Sequence, residues 1–173
     1  DLVLWCTGFS VPDLARVSGL PTDHAGRLLV EPNLQGRGQP RIYGAGDAAV
    51  IAGPDYAYLR MSCASAMPMG AEAAANILRG LDGLPPVRHN SGFGGQCVSL
   101  GRSDGMVQFV RADDTPVRFH LHGRLAAAQK EIICRMTLRW IRGEAKRSGA
   151  YTWPKGPRMR TAAAAQGKAP ARS

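Results

Sequence analysis

The stretch RIYGAGDAA, residues 41–49, constrains this chain more than any other. Ile42 and Tyr43 suit the end of a strand, but Gly44, Gly46 and Asp47 suit neither its continuation nor the start of a helix. An ionised aspartate only accepts hydrogen bonds, which fits sugar or polyol hydroxyls. Glycines beside it let the backbone approach a flat or anionic group, because no Cβ intervenes. In an open α/β sheet, the end of a strand that leads toward a helix is where ligands bind. The plainer reading is a tight turn capped by Asp47, and the short motif alone leaves both open.

The surrounding pattern is α/β. Residues 1–6 read as a strand with Leu2, Val3 and Leu4 as a buried run, closed by Thr7-Gly8. Gly26 marks a turn before a short strand at 28–30, and PRIYGAGD is the next strand. An alanine-rich helix is expected over 64–81, with Ser62 or Ser65 as N-cap. Pro68 is expected in its first turn, where a missing N–H is harmless. Gly80 or Gly83 can close the helix, and Pro85-Pro86 stop it. Residues 93–123 read as an antiparallel meander, with Asp104-Gly105 as one hairpin signal and Asp113-Asp114 with Pro116 as a second turn. GFGGQC reads as a hairpin element, since no helix follows it. A long helix is expected over 124–146. Leu125, Gln129, Ile132, Ile133, Met136, Trp140 and Ile141 form a stripe that packs on the meander and leaves arginines outside. No internal repeat is present.

At 173 residues the chain can bury a sizeable core. No run approaches the roughly 20 apolar residues of a spanning helix. The opening DLVLWCTGF has no basic n-region and no cleavage site and is not expected to be a signal peptide. It reads as a strand entered partway, and the chain is expected to be a piece of a longer protein. Cys6, Cys63, Cys97 and Cys134 form no CxxC pair and no zinc-finger spacing. They read as small apolar residues in a reducing cytosol, giving a cytoplasmic location. His120 and His122 share a strand face with no further ligand at metal spacing, so no metal is expected. Residues 1–120 carry 10 Lys/Arg and 11 Asp/Glu, whereas residues 121–173 carry 12 and 2. The body is therefore near neutral (−1), and the last third holds the basic excess (+10).

Three stretches, in this order, resemble the two-dinucleotide-fold flavoproteins, the pyridine nucleotide–disulfide reductase superfamily. DLVLWCTGFSVP looks like the return from the NAD(P)H domain, with Thr7-Gly8 in its Thr-Gly loop. GRLLVEPNLQGRGQPRIYGAGDAA looks like the segment carrying the flavin-binding aspartate. MSCASAMPMGAEAAANILRGLDG looks like the helix whose N-terminus faces the flavin ring. GQCVSLGRSDGMVQF is similar to the C-terminal region of type II NADH dehydrogenase-like enzymes.

The resemblance implies FAD as cofactor. Asp47 would hydrogen-bond its ribityl chain or the linking phosphates, and Gly46 would allow the close approach. Ala64, Ser65 and Ala66 would lie near the pyrimidine edge of the ring. A helix N-terminus carries unpaired N–H groups and about half a positive charge, which suits an anionic reduced flavin. Quinone-reducing members often carry glutamines where this helix has Ala64, Met67, Pro68 and Met69, which leaves the acceptor unassigned. No GxGxxG turn is present, so NAD(P)H, the implied co-substrate, would bind an N-terminal part absent from the chain. No side chain is singled out as catalytic acid or base.

The implied architecture is an incomplete FAD-domain portion of a doubly wound flavoprotein fold (1–86), then a meander and long helix (87–150), then a basic, disordered tail (151–173). The implied activity passes hydride from NAD(P)H to FAD and on to a quinone or similar acceptor. Weak contact with the inner face of a membrane is part of this expectation, and specific nucleic-acid binding is not. The competing reading is a basic module that binds nucleic acid or a membrane surface without catalysis.

Overall fold

The computed structural model describes residues 2, 3, 8, 10–147 and 149–158. The chain is α/β, with one mixed and one antiparallel sheet and a long helix near its C-terminus. It divides into two compact units. The first runs up to Tyr56 and resumes over Arg60–His89; the second takes Ala57–Leu59 and continues from Asn90.

The first unit opens with a one-turn helix, α1 (Leu14–Val17). Strands β1 (Leu28–Val30), β2 (Gln35–Gly36), β3 (Gln39–Tyr43) and β4 (Ala49–Ile51) form a sheet in the order β3-β2-β1-β4. β1 and β4 run parallel, with Leu28 opposite Ala49 and Val30 opposite Ile51, whereas the pairings of β2 are antiparallel. Leu28, Val30, Ala49 and Ile51 are buried, and Leu34, Met69 and Ala73 join them in the core. Most of the strand expected over 1–6, with Cys6 and Thr7, lies outside the described residues. Leu2 and Val3, however, are exposed and lie in no strand. A strand is buried only between neighbours, and among the described residues none pairs with it.

The expected helix is α2 (Cys63–Leu81). It does not follow β3 directly: a 3₁₀ turn at Gly46–Ala48, β4 and a second 3₁₀ turn at Pro54–Tyr56 intervene. Pro68 is its sixth residue, beyond the first turn where it was expected. It lies on the buried face with Ser65, Met69, Ala73 and Asn76. Burial of the ring there offsets the one backbone hydrogen bond that proline cannot make. At the far end, Gly83 adopts φ 67°. The Gly83 N–H donates to Gly80 O, and the Leu84 N–H donates to Arg79 O. This paired closure requires the left-handed residue that glycine supplies. The chain then returns along α2, where Glu72 and the fully buried His89 pair side chain to side chain.

In the second unit β5 (Gly95–Ser99), β6 (Gly105–Val110) and β7 (Pro116–His122) form the antiparallel meander. The first turn is longer than Asp104-Gly105 suggests: the Leu100 N–H donates to Asp104 O, and Gly105 already belongs to β6. The second turn places Asp114 at φ 66°, with the Thr115 N–H donating to Asp113 Oδ1.

Helix α3 (Gly123–Lys146) packs on this sheet, but with only part of the expected stripe: Gln129, Ile133 and Trp140 are half-buried, whereas Leu125, Ile132, Met136 and Ile141 are exposed. Leu125 is 74% and Ile132 57% exposed, while Ala126 is buried. The contact forms where the helix comes close to Gly105, at which a Cβ would lie 3.2 Å from the Ala127 backbone nitrogen. Close approach through small residues decides which face turns inward, and hydropathy alone does not reveal it.

The tail does not hang free from Tyr151. Glu144 accepts the N–H groups of Gly149 and Tyr151, and the Trp153 indole donates to Asn90 O. The Gly92 N–H donates to Pro154 O, and the Gly156 N–H donates to Asn90 Oδ1. Trp140, Tyr151 and Trp153 form a ring ladder with centroids 5.4 and 5.3 Å apart. The second half of GFGGQC, Gly95 to Cys97, is part of the β5–β6 hairpin as expected, whereas Gly92 in its first half is where residues 154–156 cross, and a Cβ there would strike Lys155 O. Residues 159–173 of the expected tail lie outside the described residues.

Candidate functional site

The site is built where β3 ends. The Gly44 N–H donates to O of the buried Leu34, which anchors the turn on the core. Gly44 admits no side chain: a Cβ would lie 2.8 Å from Val30 Cγ1, 2.9 Å from Leu28 Cδ2 and 3.0 Å from Ala49 Cβ. Gly46 follows at φ 69°, a conformation favoured by glycine. The 3₁₀ turn it begins packs against α2, and a Cβ at Gly46 would come 3.2 Å from Ala66 Cβ.

This close packing sets Asp47 down with one carboxylate oxygen, Oδ1, buried and without a hydrogen-bond partner among the described residues. A buried carboxylate oxygen left so costs free energy unless another group supplies a donor. Ser62 Oγ is buried and unpartnered in the same way. Ser62 is the N-cap residue of α2, with extended backbone and no capping bond from its side chain. Its carbonyl takes the N–H groups of Ser65 and Ala66. The N–H groups of Cys63 and Ala64 therefore have no acceptor within the helix and form its partly positive end.

The five residues singled out from the sequence take different places. Gly46, Asp47 and Ala66 come together, since the 3₁₀ turn lies on the first turn of α2. Ala64 is exposed at the helix end, where its backbone N–H is its useful group. Ser65 is buried, and its hydroxyl donates to Arg60 O at 2.6 Å, so its side chain holds the incoming loop. Ser62 and Cys63 belong to this constellation as well. The sequence reading named Ser62 only as a cap; starting the helix at Cys63 would have placed both at its end.

No family model matches the chain. It is similar to curated proteins named ferroptosis suppressor protein 1. One from Xenopus tropicalis is 33% identical over 111 residues, and one from Xenopus laevis is 34% identical over the same length. Each match covers 63% of this chain but only 28% of the relative, so the chain spans little more than a quarter of those proteins. Among the described residues no helix is long and apolar enough to cross a membrane, and no group of three or more His, Cys, Asp or Glu could hold a metal ion.

Proposed function

We propose that this chain is the C-terminal part of an FAD-dependent NAD(P)H oxidoreductase, NADH dehydrogenase-like. In this reading residues 1–86 complete an FAD-binding domain of the doubly wound flavoprotein kind, and residues 87–150 form its C-terminal region. The observation that carries the proposal is the orphaned, buried Oδ1 of Asp47 beside the Gly46–Ala66 contact. An acceptor-only oxygen there suits a ribityl hydroxyl. The similarity over 111 residues to ferroptosis suppressor protein 1 supports the same reading.

Bound FAD would supply the redox chemistry, taking hydride from NAD(P)H and delivering electrons to a quinone or similar acceptor. The chain's own residues bind and orient. Asp47 accepts from the polyol or linking region, and Gly46 keeps the backbone within reach of it. The N–H groups of Cys63 and Ala64 present partial positive charge to an anionic edge, and Ala64 and Ala66 leave that edge unobstructed. NAD(P)H binds a part of the protein beyond this chain, in the reducing cytoplasm. The test is FAD content of the full-length protein after dialysis, with and without Asp47→Ala. Loss of a charge-assisted hydrogen bond of about 1.5–3 kcal/mol predicts a tenfold or larger drop in affinity. Unchanged retention in a folded variant removes Asp47 from the site.

The outward apolar residues of α3 favour a second, compatible reading. Leu125, Ile132 and Ile141 are exposed beside Arg124, Arg135, Arg139 and Arg142. Such a helix suits weak, salt-sensitive contact with an anionic membrane surface. Co-sedimentation with anionic vesicles, lost at high salt, is the corresponding test.

A further inference from the structure

We propose that His120, His122 and Met106 form a binding site for a soft univalent transition-metal ion, Cu(I), on the open face of the meander. The site lies wholly within the second unit and does not rest on the flavin reading.

β7 supplies two imidazoles. Residues i and i+2 of a strand share one face of the sheet. His120 and His122 are such a pair, both exposed, with ring centres 6.3 Å apart and planes 39° apart. A metal–nitrogen bond is about 2 Å long, so two imidazoles that share one ion have ring centres up to about 6 Å apart. A small rotation about the side-chain bonds of either exposed residue brings the pair within that reach. The pairing register adds the third donor, because Met106 of β6 stands directly opposite His122. Cross-strand neighbours carry Cβ atoms about 4.5–5.5 Å apart, and the diagonal to His120 is about 7–8 Å, within the span of a long side chain. This face is open to solvent. Met106 is 43% exposed, whereas its neighbour Val107 is buried and a Cβ at Gly105 would meet Ala127 of α3 on the other side.

The donor set selects the ion. Two imidazoles and a thioether are neutral and soft to borderline, and thioether sulfur favours Cu(I), whereas Zn(II) takes thiolate, imidazole or carboxylate. Arg118, the preceding residue on the same face of β7, is exposed. Its positive charge repels a divalent ion twice as strongly as a univalent one. The backbone beneath the site is held in register. Gln108, opposite His120, donates from Nε2 to Val117 O at 2.7 Å and to Phe109 O at 2.9 Å, which ties β6 to β7 beside the bulge. The sequence shows only the histidine pair. Met106 lies on the preceding strand, and only the register of the meander brings it alongside.

Competition with bicinchoninate for Cu(I), without oxygen and with ascorbate present, tests the site in the full-length protein. Accessible thiols, the exposed Cys63 and Cys134 among them, are first blocked with N-ethylmaleimide so that they do not take the ion. The variants are His120→Asn, His122→Asn and Met106→Leu, all at exposed positions where folding tolerates the change. Cu(I) affinity is expected to fall roughly a hundredfold in either histidine variant and roughly tenfold in Met106→Leu. Zn(II) affinity, measured in parallel, should fall in the histidine variants and stay unchanged in Met106→Leu, because a thioether is no ligand for zinc. Equal Cu(I) affinity in wild type and both histidine variants overturns the proposal. Loss confined to the histidine variants, with Met106→Leu at the wild-type value, overturns the three-donor site and leaves a histidine pair. A parallel fall of Cu(I) and Zn(II) affinity in Met106→Leu overturns it too, since Met106 would then act by packing and not through its sulfur.

Discussion

Asn76 and Val87 bind each other twice. Asn76 Nδ2 donates to Val87 O at 2.8 Å, and Asn76 Oδ1 accepts the Val87 N–H at 2.8 Å. The same amide nitrogen also donates to Asn33 O at 2.9 Å. One side chain on α2 thereby fastens both the returning chain and the loop after β1. Asn76→Ala would strip partners from three backbone groups at a buried position. With about 1 kcal/mol for each lost bond, the expected destabilisation is about 2–4 kcal/mol by urea titration. Asn76→Asp should cost a similar amount, because a carboxylate cannot donate to Val87 O or Asn33 O. A loss below about 0.5 kcal/mol in either variant would contradict this account.

Gly44 makes a second, independent prediction. Its missing Cβ position lies within 3.0 Å of Val30, Leu28 and Ala49, three side chains locked in the core of the first sheet. Gly44→Ala overpacks that core, and about 1–3 kcal/mol of stability should be lost. The neighbouring Gly46→Ala acts by a different route. It forces an L-residue to φ 69°, which costs roughly 1–2 kcal/mol, and crowds Ala66 at the candidate site. Denaturant midpoints of the two variants should fall by comparable amounts, whereas any loss of FAD retention beyond the stability change should be confined to Gly46→Ala.

What could be read from the sequence was what local chemistry decides. The strand at 28–30, the alanine-rich helix and the three-stranded meander all carry a period or a turn residue of their own. The parallel partner of β1 did not: Ala49–Ile51 is three residues long, too short for a pattern, and it forms only because β1 lies beside it. Ser65 looked like a cap, but its burial turned the hydroxyl toward Arg60 O, and Ser62 took the cap position. The seating of residues 151–156 was hidden for another reason. Tyr151 to Gly156 hold few apolar residues in a basic, proline-containing context. What seats them is backbone contact with Asn90 and Gly92, more than 60 residues earlier, and no local window contains both partners.

Glu144 gives the seating of residues 149–151 a pH dependence. The N–H groups of Gly149 and then Tyr151 hold its carboxyl below the ordinary value. A carboxyl depressed in the folded state adds stability above its unfolded pKa and loses that contribution as pH falls through the folded one. Glu144→Gln should therefore melt below wild type at pH 7. The gap should narrow as pH drops from about 5 toward about 3, where the wild-type carboxyl protonates. Melting temperatures of both proteins across that interval check the sign. A gap that does not change with pH would mean the bonds from Gly149 and Tyr151 do not depend on the charge.

The last prediction sets the two faces of α3 against each other. If the whole apolar stripe of the sequence were packed, Ile132→Ser would open a cavity and cost several kcal/mol. The structure leaves Ile132 57% exposed, so the substitution should change stability by no more than about 0.5 kcal/mol. Ala126 lies on the face that meets the sheet and is buried. Ala126→Leu adds three carbons where the helix already comes close to Gly105, and overpacking should cost about 1–3 kcal/mol. The order of the two effects, measured as urea midpoints under one buffer condition, is the decisive result. A large loss from Ile132→Ser would mean that another surface covers the stripe in solution. In that case the protein concentration dependence of the midpoint would reveal whether the cover is a second copy of the chain.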